Sequence, residues 1–397
     1  MPVLFEGSQE PTLGVEVEFQ ILDPKSCTAV SKAKQVLERC RQRQIGRVKA
    51  EIHQSMIEVD TEISQNVKEC RRHLEQRIQQ LQGVFNELNL MIGATATHPF
   101  HRWVDNEVFP NKRYLYVSEK FQWLAKRVTV YGMHVHVGVP SGDAVLAVMN
   151  KSLPYLPHLL ALSSNSPYWQ GIDTGMSSCR IGIMDSFPYA GIPCRFDSWE
   201  EFSLYYNTLK ETGAVESMKD FYWHVRPNAE FGTVEFRICD MVPTLKETMA
   251  LVAFIQNLVV WILDDSAFHE DTVDENRLRH WIAPENHWMA ERDGLNAMII
   301  SPDGRTRVRL ADDIFRVVKL LTPIAKRMGN YDEFIYIREM VRIGTGSDRQ
   351  RRVYQETESF EQVIKAMNAE LLEDAPITSK STPISSASTD QSHPEPF

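Results

Sequence analysis

Three short stretches of the sequence place ionisable residues two positions apart among small or apolar residues. They are Gly14-Val15-Glu16-Val17-Glu18-Phe19, Met133-His134-Val135-His136-Val137-Gly138 and Thr233-Val234-Glu235-Phe236-Arg237-Ile238. Residues i and i+2 of a β-strand project from the same face of a sheet. We therefore predict that each stretch is a strand that buries apolar residues on one face and presents a pair of polar side chains on the other.

The three predicted strands combine their polar side chains if they belong to one sheet. The shared face then carries Glu16, Glu18, His134, His136, Glu235 and Arg237. Several carboxylates brought together away from water stay charged only when cations neutralise them, so this face predicts a metal site. The sequence indicates an enzyme more strongly here than anywhere else.

The composition limits the classes of partner. The chain has 397 residues, of which 43% are hydrophobic and 24% charged, enough for a large core in one or two domains. The net charge of −10 argues against nucleic acid, which binds positive surfaces. The most apolar stretch, Met249 to Leu263, is interrupted by Gln256 and Asn257 and is shorter than the roughly 20 residues that a bilayer requires. We predict no membrane partner.

The cysteines and the N-terminal residues predict a cytoplasmic protein. The six cysteines are scattered and form no C-x-x-C pair. In a chain of this length such spacing indicates reduced, buried thiols rather than a disulfide framework. Residues 1–10 lack the basic and apolar segments of a signal peptide.

Local patterns predict strands and helices that follow one another along the whole chain, among them helices at about 112–127 and 347–372. Because the strands alternate polar with apolar residues, we expect an antiparallel sheet with one solvated face and an α+β fold. Residues 163–197 are rich in Gly, Pro, Ser and aromatic residues and are too long for an ordinary connection, which is typical of a functional loop. In residues 375–397, 13 of 23 are Ser, Thr or Pro, which predicts a disordered tail.

Further acids strengthen the prediction of a metal site. Glu51 and Glu58 lie seven residues apart in a segment whose second half is strand-like. Because acids outnumber histidines, the ligands suit Mg²⁺ or Mn²⁺ better than Zn²⁺. Mg²⁺ held by carboxylates usually completes its coordination with a phosphate, and an arginine beside it can clamp phosphoryl oxygens. Taken singly, each motif is also compatible with a solvated strand face or a surface ion pair.

Three arginines are candidates for contacts with substrate or nucleotide. Arg180 and Arg195 lie in the irregular segment, where each is a candidate for binding a substrate carboxylate. Arg226 precedes Pro227 close to the Glu235 strand and is expected to point into the same cavity. Since the chain has no G-x-x-x-x-G-K-[ST] motif, a nucleotide would depend on metals and arginines.

The run from Gly344 to Ser347, followed by Arg349, is a candidate phosphate contact. A simpler interpretation of this run is a helix that begins with Ser347 as its N-cap. We carry Arg349 forward as a nucleotide-binding candidate.

Several motifs resemble those of a known family when they are taken together and in order. They are Gly14-Val15-Glu16-Val17-Glu18, Ser55-Met56-Ile57-Glu58, Thr97-His98-Pro99-Phe100, His134-Val135-His136-Val137-Gly138, Ser166-Pro167-Tyr168, Arg226-Pro227 and Phe231-Gly232-Thr233-Val234-Glu235-Phe236-Arg237. As a set, over residues 12–265, they resemble the glutamate–cysteine ligase type 2 family, and most closely its YbdK-like carboxylate–amine ligases. The resemblance implies a glutamine-synthetase-like fold, whose curved antiparallel sheet, flanked by helices, forms a funnel for Mg²⁺, ATP and an amino-acid carboxylate.

The resemblance also implies roles for individual residues. Its metal ligands fall on Glu16, Glu18, Glu51, Glu58, His134 and Glu235. Of the two histidines, His134 is the preferred ligand, and His136 is left as a substrate contact. Arg237 falls on the ATP phosphates, and Arg237 and Glu235 are the expected catalytic residues. The segment Val59-Asp60-Thr61-Glu62 departs from the more apolar run expected after Glu58, which leaves the substrate open.

These observations predict a single catalytic ligase domain over residues 1–372, with its core match at 12–265, a helical part at 266–372, and a disordered tail at 373–397. The predicted function is an ATP-dependent carboxylate–amine ligase that forms an amide through an acyl phosphate, with weak activity on glutamate and cysteine as the default small-molecule substrates. The family resemblance is compatible with a homodimer. Two alternatives remain at this point. One is a hydrolase that binds zinc through His134 and His136, and the other is a non-catalytic descendant that binds an amino acid or a nucleotide.

Overall fold

The computed structural model describes residues 2–264, 273–301 and 303–377. Its strands are β1 (Leu13–Leu22), β2 (Val48–Ala50), β3 (Met56–Asp60), β4 (Met91–Gly93), β5 (Met133–Gly138), β6 (Tyr168–Trp169), β7 (Ile172–Asp173), β8 (Ala190–Gly191), β9 (Tyr222–Trp223), β10 (Val225–Asn228), β11 (Thr233–Phe236), β12 (Met298–Ile300) and β13 (Arg307–Arg309). Its helices are α1 (Ala33–Gln42), α2 (Val67–Glu87), α3 (Lys112–Phe121), α4 (Trp123–Lys126), α5 (Gly142–Ser152), α6 (Leu156–Ser163), α7 (Cys179–Met184), α8 (Trp199–Glu211), α9 (Leu245–Leu263), α10 (Val273–Asp293), α11 (Leu310–Met328), α12 (Tyr331–Ile335), α13 (Ile337–Ile343), α14 (Gly346–Thr357) and α15 (Phe360–Glu373).

One antiparallel sheet organises the fold. Its strands lie in the order β10-β11-β5-β1-β3-β2, and β4 also pairs with β1. The register places Glu16 opposite both Asp60 and His134, and Glu235 opposite both His136 and Arg226. The three stretches that were predicted to be strands therefore belong to one sheet, and their polar side chains share one face.

Apolar residues of the same strands form the core on the opposite face. Val17, Phe19 and Val135 are fully buried there, next to α2, α5 and α9. Helix α9 begins at a capping box formed by Thr244 and Glu247. It is long and apolar enough to cross a membrane, but 83% of its apolar window is buried inside the protein, as expected of a core helix.

Some helix boundaries differ from the sequence prediction because single residues interrupt the helices. The predicted helix at 112–127 is divided into α3 and α4 at Gln122, whose φ is 49°. The predicted helix at 347–372 is divided at Glu358, whose φ is 52°, and the Ser359 hydroxyl then accepts from the amide of Gln362 at the start of α15. The irregular segment at 163–197 contains a short helix, α7, which its Gly- and Ser-rich composition did not predict.

Only the beginning of the predicted C-terminal tail is described. Within residues 373–377, Asp374 accepts a hydrogen bond from the amide of Lys246, and the amide of Ile377 donates to Glu370. These five residues are therefore packed against the helical part of the chain. Residues 378–397, and with them most of the predicted tail, lie outside the described residues.

Candidate active site

A cavity of about 330 Å³ covers the polar face of the sheet. Its wall contains Glu16, Glu18, Glu51, Glu58, His134, His136, Arg180, Arg226, Glu235 and Arg237. Ten of the twelve candidate site residues named from the sequence thus surround one space. The two that do not are Arg195 and Arg349.

Three carboxylates form the first ligand group in this cavity. One oxygen each of Glu18, Glu51 and Glu58 lie within 4.8 Å of one another. Glu18 is fixed by a 2.6 Å hydrogen bond from the amide of Gly132 to its Oε2 atom. Burial and the charges of Glu58 and Glu18 raise the pKa of Glu51 well above its ordinary value. Burial and the charge of Glu16 raise the pKa of Glu58 to about 7. A divalent cation would remove this repulsion, so the group fits Mg²⁺ or Mn²⁺.

A second ligand group lies beside the first and contains Glu16, His136 and Glu235. The Nε2 atom of His136 is 3.7 Å from Glu16 Oε1 and 4.0 Å from Glu235 Oε1. His134 lies between the two groups, with Nδ1 3.2 Å from Glu16 Oε2 and Nε2 3.9 Å from Glu18 Oε1. Among the described residues, His136, assigned to the substrate from the sequence, belongs to this ligand group, whereas His134, the ligand preferred from the sequence, belongs to neither group.

The electrostatics of the second group keep its acids ionised. Burial raises the pKa of Glu16, but hydrogen bonds from His134 and His136 outweigh it and leave that pKa well below its ordinary value. Burial likewise opposes the charge of Glu235, yet Arg226 and Arg237 hold its pKa far below the usual range. This group therefore presents two carboxylates to the cavity at neutral pH.

Two arginines hold Glu235 at the end of the cavity. Arg226 binds it in bidentate fashion, with Nε 2.8 Å from Oε2 and Nη2 3.1 Å from Oε1. Arg237 donates from Nη1 to the same Oε1 atom at 2.5 Å. The cavity thus joins a carboxylate-rich wall, suited to cations, to an arginine-rich end, suited to anions.

Known proteins are similar to this chain in sequence and in fold. The profile of the glutamate-cysteine ligase family 2 (GCS2) matches residues 12–368. The chain belongs to this family. The match confirms the resemblance noted in the sequence. Members of this family are ATP-dependent ligases that form C–N bonds.

Two relatives, both provisionally named glutamate–cysteine ligase 2, show how complete the match is. The family member from Gloeobacter violaceus is 36% identical over 373 residues, which cover 94% of this chain and 100% of the relative. The one from Chloroflexus aurantiacus is 36% identical over 365 residues, which cover 92% and 93%.

Solved structures show the same α+β, glutamine-synthetase-like fold. A glutamate–cysteine ligase from Francisella tularensis, in complex with AMP, matches with a TM-score of 0.65 at 12% identity and covers 92% of this chain and 90% of that one. A bifunctional glutathione synthetase from Pasteurella multocida matches with a TM-score of 0.66 at 15% identity. The match covers 91% of this chain and 52% of the synthetase, so this family member spans about half of that protein.

Arg180 lines the cavity but is largely engaged by the protein itself. Its Nη1 and Nη2 atoms donate to the main-chain carbonyls of Ile238 and Arg237, both at 3.3 Å. A Cβ atom at Gly132 would collide with this guanidinium, so the glycine provides its space. Arg180 therefore positions the segment that carries Arg237, which is a more indirect role than the substrate contact predicted from the sequence.

Arg195, a predicted substrate contact, lies apart from the other candidate residues. Its guanidinium is partly exposed and pairs with Asp197, the neighbour two residues along, at 2.6 Å. It lies outside the cavity wall. The composition of the irregular segment suggested a binding loop, but only part of that loop, including Arg180, Met184 and Phe187, faces the cavity.

Arg349, a predicted nucleotide contact, also lies away from the cavity. Arg349 is 1% exposed and lies among α9, α14 and α15, with Nη2 2.8 Å from Glu247 and Nε 2.9 Å from Glu370. Helix α14 begins at a capping box of Thr345 and Asp348 rather than at Ser347. The glycine-rich run is therefore a helix start, and its arginine neutralises two buried acids.

The cavity also contains residues that the sequence analysis missed, chief among them Lys49 and Tyr114. Lys49 pairs across the sheet with Glu58, and its Nζ atom is 3.3 Å from Glu58 Oε1 and 3.0 Å from Asp60 Oδ2. A lysine two residues before Glu51 was the available signal, because alternate residues of a strand share a face. Tyr114 donates to the carbonyl of Ala50 at 2.8 Å and holds the segment that precedes Glu51.

Proposed function

We propose that this chain uses ATP to join a carboxylate to an amine, with divalent cations held by the two ligand groups of the cavity. The observation that carries the proposal is the side-by-side placement of Glu18, Glu51 and Glu58 with Glu16, His136 and Glu235 on one wall. Two adjacent sites rich in carboxylate oxygens suit a nucleoside triphosphate, whose phosphate oxygens complete the coordination of Mg²⁺. Bound Mg²⁺ would neutralise the charge of the phosphates.

The residues of the chain supply position and charge rather than covalent chemistry. Arg226 holds Glu235 in place through two hydrogen bonds. Arg237 lines the cavity, and we assign it the stabilisation of negative charge on the transferring phosphoryl group. Because the reacting groups are charged and must meet in line, fixed charges and orientation account for most of the rate.

The proposed reaction has two steps. A carboxylate oxygen of the substrate attacks the γ-phosphorus of ATP, the bond to the bridging oxygen breaks, and ADP leaves. The amine nitrogen then attacks the acyl carbon of the resulting acyl phosphate, inorganic phosphate leaves, and the nitrogen loses a proton. The products are an amide, ADP and phosphate.

Glutamate and cysteine are the substrates that we propose first, because the relatives are named for that pair. A cytoplasmic location agrees with the cysteines, which are free, with five buried and Cys194 exposed. A homodimer remains a proposal that rests on the family resemblance alone.

The zinc hydrolase has less support. It requires His134 and His136 to bind the same ion. Among the described residues, the ligand groups of the cavity include His136 with two glutamates, and His134 with neither group. Five of the six ligands are carboxylates, and the group of Glu18, Glu51 and Glu58 contains no histidine. This composition favours Mg²⁺ over Zn²⁺.

The experiment that tests the proposal is ADP release with ATP and Mg²⁺ across a panel of amino-acid carboxylates, each with and without amine partners. We expect ADP when both glutamate and cysteine are present, and little with either alone. ADP with a different pair would retain the chemistry and correct the substrates. The absence of ADP with every pair, from a folded protein that binds Mg²⁺, would contradict the proposal.

A further inference from the structure

A third group of metal-ligand atoms lies outside the wall of the cavity. It contains Asp185, His224 and His287, whose ligand atoms are within 4.8 Å of one another. Asp185 directly follows α7, His224 lies between β9 and β10, and His287 lies on α10. The group thus brings together three elements that are distant in sequence.

The distances within this group suit a small tetrahedral ion. Asp185 Oδ2 is 3.4 Å from His224 Nε2 and 3.3 Å from His287 Nε2. Ligand atoms about 2.0–2.1 Å from a tetrahedral Zn²⁺ lie about 3.3–3.4 Å apart, because the edge of a tetrahedron is about 1.63 times its radius. The cavity histidine His136 is 3.7–4.0 Å from its carboxylates, so the third group is the more compact.

The histidine nitrogens that face Asp185 lack other partners. The side chains of His224 and His287 are 3% and 9% exposed. Neither Nε2 atom makes a hydrogen bond of acceptable geometry with any described residue, nor does Nδ1 of His287. The two rings are stacked with their centroids 4.5 Å apart. Buried polar atoms nearly always have a hydrogen-bond partner or another ligand in native proteins. The unpaired nitrogens of His224 and His287 therefore indicate a place for a ligand.

We propose that Asp185, His224 and His287 form a binding site for a divalent transition-metal ion, with Zn²⁺ as the expected occupant. Two imidazoles and one carboxylate are a common ligand set for Zn²⁺, whereas Mg²⁺ prefers an all-oxygen environment. The fourth position is taken by water or by Glu291, which is buried one helical turn after His287. The site is separate from the proposed ligase chemistry and does not depend on it.

The ion would stabilise one side of the cavity. Met184 and Phe187, which flank Asp185, both line the cavity. The carbonyl of His224 accepts a 2.8 Å hydrogen bond from the amide of Arg237. A metal that joins Asp185, His224 and His287 would therefore restrain the cavity-lining residues beside Asp185 and the backbone of Arg237.

Zinc binding by the full-length protein tests this proposal. The protein is stripped with a chelator, and bound zinc is then counted by equilibrium dialysis in excess Mg²⁺, which competes for the carboxylate groups of the cavity. We expect His287→Gln and Asp185→Asn each to bind one zinc fewer than the wild type. The second variant guards against misfolding, because Asp185 is partly exposed.

His53→Gln is the matched control, since His53 is another buried histidine with both ring nitrogens unsatisfied among the described residues. It should bind as much zinc as the wild type. In crystals of the wild type soaked with Zn²⁺, an anomalous difference peak is expected between the three side chains. Equal zinc counts in all four proteins, or a soaked crystal without that peak, would overturn the site.

Discussion

Two clusters of buried acids in this molecule differ in how their negative charge is neutralised. In the cavity, Glu18, Glu51 and Glu58 surround a space that is open to a ligand. Among the C-terminal helices, Glu247 and Glu370 surround the guanidinium of Arg349, which is 1% exposed. The second cluster carries its own permanent cation at its centre, whereas the first has Lys49 at its edge, shared between Glu58 and Asp60.

The comparison shows which observation distinguishes a binding site from a structural ion pair. A raised pKa does not do so, because burial raises the pKa of both Glu58 and Glu370 to about 7. The difference lies in the cavity and in the identity of the neutralising cation. A cluster that contains its cation is complete, while a cluster that borders an open space can bind one from solution.

Removal of Arg349 should have the largest effect on stability. Arg349→Met leaves Glu247 and Glu370 buried without their cation, and we expect the free energy of unfolding to fall by about 3–5 kcal/mol. Urea denaturation measures this loss. ADP formation per folded molecule should be unchanged, and a stable variant that lost activity would return Arg349 to the nucleotide site.

Glu58→Gln should show the reverse pattern. Loss of one ligand from the first group should lower the rate of ADP formation about 10²–10³-fold, or about 3–4 kcal/mol in the activation barrier. Stability in the absence of metal should not fall, because the substitution removes one of three mutually repelling charges. Glu370→Gln is the matched control, a buried glutamate with the same raised pKa, and it should retain activity. If both variants lost activity equally, the distinction between the clusters would fail.

The pH dependence of stability should reveal the proton on Glu58. Its pKa rises from the ordinary 4.5 to about 7 in the folded state, so the folded protein binds that proton more tightly than the unfolded chain. The stabilisation is fully present below about pH 4.5 and is lost as the pH rises through about 7. The melting temperature of the metal-free protein should therefore fall across this window.

Mg²⁺ reports on the same proton. Affinity for Mg²⁺ should rise with pH below about 7, by at most about tenfold per unit if one proton is displaced. In Glu58→Gln both the thermal slope and the pH dependence should become shallower, although Glu291 and Glu370, with pKa values also near 7, retain part of the thermal slope. A pH-independent affinity in the wild type would show that Glu58 is not a ligand.

The smallest effect is expected at Arg195. Its ion pair with Asp197 is exposed, and such pairs contribute about 0–1 kcal/mol. Arg195→Ala should therefore change neither the KM for the carboxylate substrate nor, by more than that amount, the free energy of unfolding. An increase in that KM would restore the substrate role predicted from the sequence.

The sheet and one wall of the site were predictable because strand alternation is a local property. Glu16 and Glu18, or His134 and His136, share a face whatever the rest of the chain does. Burial of the intervening valines then fixes which face meets the core. The register that sets Glu235 opposite His136 follows from strand pairing, which the sequence implied only through the family resemblance.

The sequence did not reveal contacts between residues that are distant along the chain and carry no periodic signal. Arg349 contacts Glu247 across a sequence separation of 102 residues, and no local pattern near either residue predicts this ion pair. The grouping of His224 with His287 and Asp185 is equally hidden, because each lies in a different element. Lys49 is a different case, since its spacing from Glu51 was visible.

Oxygen transfer tests most directly whether this cavity activates a carboxylate with ATP. Glutamate labelled with ¹⁸O in its carboxylates is incubated with cysteine, ATP, Mg²⁺ and the protein, and the phosphate products are examined by mass spectrometry. The account predicts that one labelled oxygen appears in inorganic phosphate for each amide formed. Amide formed with unlabelled phosphate, or with the label in AMP, would contradict it.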